Sequence, residues 1–165
     1  IAELADLPLQ WHCIGPIQSN KTQLVAKYFG LVHSIDRLKI AERLSAQRPA
    51  HLPPLQVCLQ VNVDGGANKS GVAPTDLLAL AEAVAKLPNL QLRGLMTIPE
   101  PAENDTAARA VHRQAKELFD SLNAAGLKLD TLSMGMTADL EAAIAEGSTC
   151  VRVGTAIFGL RLTSA

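Results

Sequence analysis

Short apolar runs alternate with longer segments of helical period along the 165 residues, and that alternation restricts the fold more than any other feature. The runs are WHCIG (11–15), LVHSID (31–36), LQVCLQVNV (55–63), LQLRGLMTI (90–98), TLSMGM (131–136) and CVRVGTAIFG (150–159). Between them lie helical segments: SNKTQLVAKYF, with Leu24, Val25 and Tyr28 on one face; RLKIAERLSAQ, ended by Pro49; and DLLALAEAVAKL, capped by Thr75. The long TAARAVHRQAKELFDSLNAAG is stopped at Gly126, and ADLEAAIAE at Gly147. Strands separated by helices imply βαβ units and a parallel sheet, and the low charge of the strands fits a sheet covered on both faces.

Six strands suit an open doubly wound sheet, whereas a closed barrel requires eight. The opening stretch pulls the other way. The sequence starts at Ile1 without methionine, and IAELADLPLQ reads as the end of a helix leading into a strand, so an N-terminal piece is expected to be missing. Without linker, repeat or low-complexity tract, residues 1–165 form one expected domain.

The bulk numbers serve to exclude. A hydrophobic share of 48% with 19% charged residues suits a globular chain with a core. A formal net charge of −1, with both signs interspersed, offers no footprint for nucleic acid or an anionic membrane. No apolar run approaches the roughly 20 residues that span a bilayer. Cys13, Cys58 and Cys150 are scattered through apolar runs, which points to buried free thiols in a reducing cytoplasm. His33, His51 and His112 lack metal-ligand spacing with cysteines or carboxylates, and no metal is expected. No Ser-His-Asp or Cys-His arrangement is legible from residue order.

The last two strands end at Ser133-Met134-Gly135-Met136-Thr137 and at Arg152-Val153-Gly154-Thr155. In (β/α) barrels, phosphate groups often bind at the loops after the last two strands. Glycines admit close approach of an anion to the backbone, Thr137 and Thr155 add hydroxyls, and Thr137 opens a helix with unpaired N–H groups. Strand alternation sends Arg152 to the face opposite Val151 and Val153, into the interior, where a cation needs a partner: an acidic ligand group or a ring nitrogen. Plainer readings stand beside these. Thr137 is also an ordinary N-cap near Asp139, Gly154 can merely relieve crowding, and Arg152 can pair with Glu141 or Asp139. His12 either faces the pocket beside Ile14 or is a buried core histidine; Gln18 and Asn20 either donate to a ligand or cap the next helix.

The segments WHCIGPIQSNK, LQVCLQVNV followed by NKSG, LRGLMTIP, LSMGMTADLEAAI and GSTCVRVGTAIFG resemble the pyridoxal phosphate homeostasis protein family, over essentially the whole chain and in the right order. The resemblance implies an α/β fold of the (β/α)8 TIM-barrel type, similar to the N-terminal domain of alanine racemase, here incomplete with the first two βα units missing. It implies bound pyridoxal 5'-phosphate (PLP), its phosphate held by Ser133, Gly135, Met136, Thr137, Gly154 and Thr155 and its ring nitrogen faced by Arg152, with His12 and Asn20 as further candidates. The family has serine at the position of Thr137; the hydroxyl is kept. The Schiff-base lysine of the family would precede Ile1, and no lysine here matches it; Lys21 and Lys69 are loop lysines able at most to substitute. An arginine at the ring nitrogen disfavours ring protonation and weakens the cofactor as an electron sink. The implied role is therefore to carry or buffer PLP in the cytoplasm without turnover, with PLP-dependent apo-enzymes as recipients. The alternatives are a racemase-like enzyme, which would need a second base, or a shortened chain without cofactor. An open barrel would cover its edges by self-association or with a retained N-terminal fragment.

Overall fold

The computed structural model describes residues 1–4, 6–65 and 70–159. Lys69 lies outside the described residues. One parallel sheet contains β1 (His12–Cys13), β2 (Leu31–Ile35), β3 (Leu55–Gln60), β4 (Leu90–Met96) and β5 (Thr131–Ser133), hydrogen-bonded in that order. The helices are α1 (Thr22–Tyr28), α2 (Leu38–Gln47), α3 (Leu77–Ala85), α4 (Asp105–Ala124), α5 (Leu140–Ala145) and α6 (Thr155–Phe158).

Strand order decides between the two architectures. A doubly wound sheet reverses its order midway and carries helices on both faces. Here each strand is added on the same side of the one before, and right-handed crossovers then put the connecting helices on a single face. The opposite face turns inward as the wall of an incomplete barrel. Two apolar clusters follow from this. The larger joins Val32, Val57, Leu59, Leu95 and Leu132 of the strands to Ile40, Leu44, Leu77, Val84 and Leu122 of the helices. The smaller, formed by Leu31, Cys58 and Met96 with Ile14 and Ile98, lies on the inner face. Alternation along β3 explains the division: Val57 and Leu59 point to the helices, and Cys58 points inward.

The sixth expected strand is reduced to one bridge, Ser133 to Cys150, and its second half, Thr155–Phe158, is helical. Gly135 is the cause. Its φ of 90° takes the chain after β5 out of extended geometry, so the Arg152 N–H meets the Gly135 carbonyl and regular pairing ends. Other expectations also shift. Leu24 and Tyr28 are exposed, and α1 buries Thr22, Val25 and Ala26 instead. Thr75 sits inside a 3-10 turn, Pro74–Asp76, and does not cap α3. Cys58 is buried, but Cys13 and Cys150 are only partly so. The opening stretch forms a 3-10 turn, Ala2–Leu4, with no strand before His12 among the described residues.

Helix α4 ends as the sequence suggests. Gly126, at φ 98°, donates its N–H to the Asn123 carbonyl, and Leu127 donates to Leu122, which satisfies two terminal carbonyls in a Schellman turn. At its start, the Asn104 side chain accepts from the Ala107 N–H at 2.9 Å. Asn104→Ala is expected to cost about 1 kcal/mol, read as a lower urea midpoint with an unchanged m-value.

Candidate functional site

The inner wall carries a line of polar side chains that runs from His12 at the start of β1, through His33 in the middle of β2, to Ser133 at the end of β5. Arg152, after the Cys150 bridge, reaches across to β5 and β4. One terminal nitrogen donates to the Ser133 hydroxyl at 2.7 Å and the Ser133 carbonyl at 2.9 Å; the other donates to the Thr97 carbonyl at 2.7 Å. The line continues through Ser133 Oγ to His33 Nδ1 at 3.0 Å and from His33 Nε2 to His12 Nδ1 at 3.2 Å. Parallel strands of one sheet make this possible: His12 pairs with Leu31 and Ser133 with Met96, so the three side chains step diagonally along the strands while sharing the inner face.

The donor inventory of this cluster is incomplete. A guanidinium has five N–H bonds, and three are used here. Arg152 Nε is buried without a partner among the described residues, as is Thr97 Oγ1. Burial lowers the arginine from its ordinary value, with Cys150, Asp139 and Cys58 opposing the shift; a guanidinium nonetheless stays charged in a protein. Burial, and then Cys150, push Cys58 up to about 12, so this thiol is a protonated apolar filler.

The two turns have different physics. At Gly135 a Cβ would strike the Cβ of Ala143, and φ is positive, so glycine is required there by backbone and packing. Gly154 has φ −117° and, among the described residues, nothing within 4 Å of where a Cβ would lie. That removes crowding as its explanation and leaves open space against its backbone. Thr137 does not open α5, whose N-cap is Asp139. The Asp139 carboxylate accepts from the Met136 N–H at 2.7 Å and lies 2.9 Å from His112 Nε2, so one expected anion-binding amide is already satisfied by protein. Nor does Asp139 or Glu141 pair with Arg152, whose partners are the three acceptors above.

Met136, Thr137, Gly154 and Thr155 are exposed around the end of this line, and Ser133 is fully buried at its centre. His12 is neither a core histidine nor solitary: it is exposed and joined to His33. It also lines a cleft of about 350 Å³ with Trp11, Leu31 and Gln56. A second cleft, of about 310 Å³, lies against α4 at Val63, Pro74 and Gln114, away from this line. Asn20 and Lys21 are exposed; Lys21 holds the N-cap position of α1, without a side-chain cap from Asn20 or Gln18. The residues missed from sequence are His33 and Thr97. The only available signal for His33 was a histidine amid LVHSI, in a strand whose other side chains are apolar or small.

His33 makes stability depend on pH. It is 1% exposed, and burial, His12 and Arg152 push it down to about 4. In the unfolded chain a histidine binds its proton near 6.5. Between these values the unfolded state gains a proton that the folded state refuses, so stability falls as pH drops from about 6.5 to about 4 and is unaffected above that window. The loss from this residue is on the order of 2–3 kcal/mol. Urea midpoints measured from pH 7.5 to 4.5 should decline, and His33→Asn should flatten the decline.

The model of the alanine racemase N-terminal domain matches residues 3–162. A protein of Pseudomonas aeruginosa named pyridoxal phosphate homeostasis protein is 68% identical over 160 residues, covering 97% of this chain and 68% of that protein. Its namesake in Escherichia coli K12 is 54% identical over 159 residues, covering 96% and 68%. The solved structure of PipY from Synechococcus elongatus with PLP bound aligns at a TM-score of 0.85 and 39% identity, over 96% of this chain and 74% of PipY. An alanine racemase of Clostridium difficile aligns at a TM-score of 0.77 with 16% identity, over 98% of this chain and 43% of that one, a likeness of fold alone. The chain spans about two thirds of the length of the curated relatives it matches.

Proposed function

The chain belongs to the alanine racemase N-terminal domain family and, within it, to the pyridoxal phosphate homeostasis proteins, and from that premise we propose that it binds PLP to store or deliver it without turnover. The observation that carries the reading is the half-buried Arg152, whose buried Nε has no partner among the described residues and which has one further N–H unspent. A cation so enclosed needs an acceptor. The open space at Gly154 is of the kind an anion fills against backbone.

In this reading Arg152 takes the ring nitrogen. Gly154, Thr155 and Thr137 serve the phosphate, with Ser133, Gly135 and Met136 framing them; Met136 contributes shape, because its N–H is engaged by Asp139. His12 and Asn20 stand at the rim. Bound PLP supplies an electron sink, and a guanidinium beside the ring nitrogen keeps that nitrogen unprotonated, which makes the sink weak. The residues are thus better suited to holding than to carbanion chemistry, and the names of the relatives agree. Apo-enzymes that require PLP are the recipients in this reading. Three unpaired cysteines support a reducing, cytoplasmic setting.

Titration calorimetry with PLP, pyridoxal and inorganic phosphate tests it. PLP should bind saturably and at least about tenfold more tightly than pyridoxal. Equal affinity for the two, no binding of PLP, or racemisation of amino acids above the rate of free PLP would each overturn the reading.

A further inference from the structure

The hydrogen bonds along the inner wall have a direction, and Arg152 sets it. Its guanidinium can only donate, so Ser133 Oγ accepts at 2.7 Å. The serine hydroxyl has one proton, and His33 Nδ1 lies 3.0 Å away. Two orders are formally possible. If His33 Nδ1 carried the hydrogen, Ser133 Oγ would accept twice and its own O–H would be left buried beside a cation, without an acceptor. An unmet buried donor costs about 1–3 kcal/mol. The positive guanidinium also favours the serine dipole with oxygen toward Arg152 and hydrogen away from it.

The favoured order therefore runs from Arg152 to Ser133 to His33 Nδ1. His33 then carries its hydrogen on Nε2 and donates to His12 Nδ1 at 3.2 Å. His12 in turn is left with its hydrogen on Nε2, where an exposed ring can offer it to a ligand acceptor. Four residues from β1, β2, β5 and the segment after α5 thus form one chain with a single proton order.

We infer that Ser133 and His33 are positioning residues that hold the Arg152 guanidinium in the plane from which it meets a heteroaromatic ring nitrogen, and that they fix His12 as an N–H donor. This inference rests on the PLP reading above. Ser133 is fully buried and His33 nearly so, and within this line each is joined to a neighbour on either side. A guanidinium held only by backbone carbonyls would keep two acceptors but lose the side-chain stop that fixes its rotation.

The test combines nitrogen-15 NMR of the histidine rings with ligand titration of the same chain. In the wild type at pH 7, His33 should appear as the neutral Nε2–H tautomer, and in Ser133→Ala that tautomer should give way to a mixture. Ser133→Ala and His33→Leu should each weaken PLP about tenfold, and His33→Leu should leave inorganic phosphate nearly unchanged. His33→Asn, whose amide oxygen can accept from Ser133 in place of Nδ1, should retain PLP affinity within about threefold. Loss of PLP and phosphate binding together in His33→Leu would mark general damage and overturn the positioning role. An Nδ1–H tautomer in the wild type, or unaltered PLP affinity in Ser133→Ala, would also overturn it. A wild-type chain with the expected tautomer that takes up no PLP would support the proton order and overturn the cofactor reading instead.

Discussion

Arg152→Met is expected to abolish measurable PLP binding and to lower the stability of the ligand-free chain by about 2–3 kcal/mol. The methionine fills similar space but donates nothing. The Thr97 carbonyl and the Ser133 hydroxyl lose the donor at 2.7 Å from each, inside a region closed to compensating water. The Ser133 carbonyl suffers less, because it also accepts from the Thr97 N–H at 3.1 Å. Arg152→Lys separates charge from geometry. An ammonium restores the positive charge but cannot bridge β5 and β4 as a planar fork, so stability should recover more than ligand affinity does. Urea unfolding and calorimetry on the two variants check both parts. A methionine variant as stable as the wild type would mean that the arginine is held at the site without being needed there.

Gly94→Ala is expected to prevent cooperative folding or to cost at least about 3 kcal/mol. Gly94 pairs with Thr131 across β4 and β5, and an added Cβ would fall on the Thr131 carbonyl oxygen and 2.6 Å from its carbon. The obstacle is backbone, so no rotamer change relieves it. The strands must part at the point that sets the depth of Ser133 relative to Thr97. Gly154→Ala is the matched control. With open space around its Cβ and an ordinary φ, it should change stability by no more than about 0.5 kcal/mol. If the backbone there receives the phosphate, the same methyl should nevertheless weaken PLP. Circular dichroism melts of the two alanine variants, side by side, separate a glycine needed by the sheet from one needed by a ligand.

The turns show why some of the site was legible and some was not. Glycines 135 and 154 look alike in the sequence, each after an apolar run and each followed within two residues by threonine. Their causes differ: at Gly135 a positive φ and the methyl of Ala143, at Gly154 empty space. Spacing could not separate them, because the difference lies in what another helix brings near. Arg152 was legible as inward-facing from alternation alone, whereas its acceptors were not, since Thr97 lies 55 residues away along the chain. Asp139 misled for the same reason. The sequence offers it as a direct partner for Arg152, and its carboxylate is instead tied to the Met136 N–H and to His112, a residue of α4.

Alternation of apolar runs and helical segments by itself determined a parallel α/β chain, because periods of two and 3.6 residues are local properties of the backbone. The stop signals at Gly126 and Gly147 were equally local: both residues adopt positive φ, at 98° and 94°. Tertiary structure alone decided that the strands follow one another in unbroken order, and hence that the helices leave one face free as an inner wall. It alone brought His12, His33, Ser133 and Arg152 into one hydrogen-bonded line. The physical reason is that strand neighbours and inward depth depend on contacts between distant segments, which no window of sequence contains.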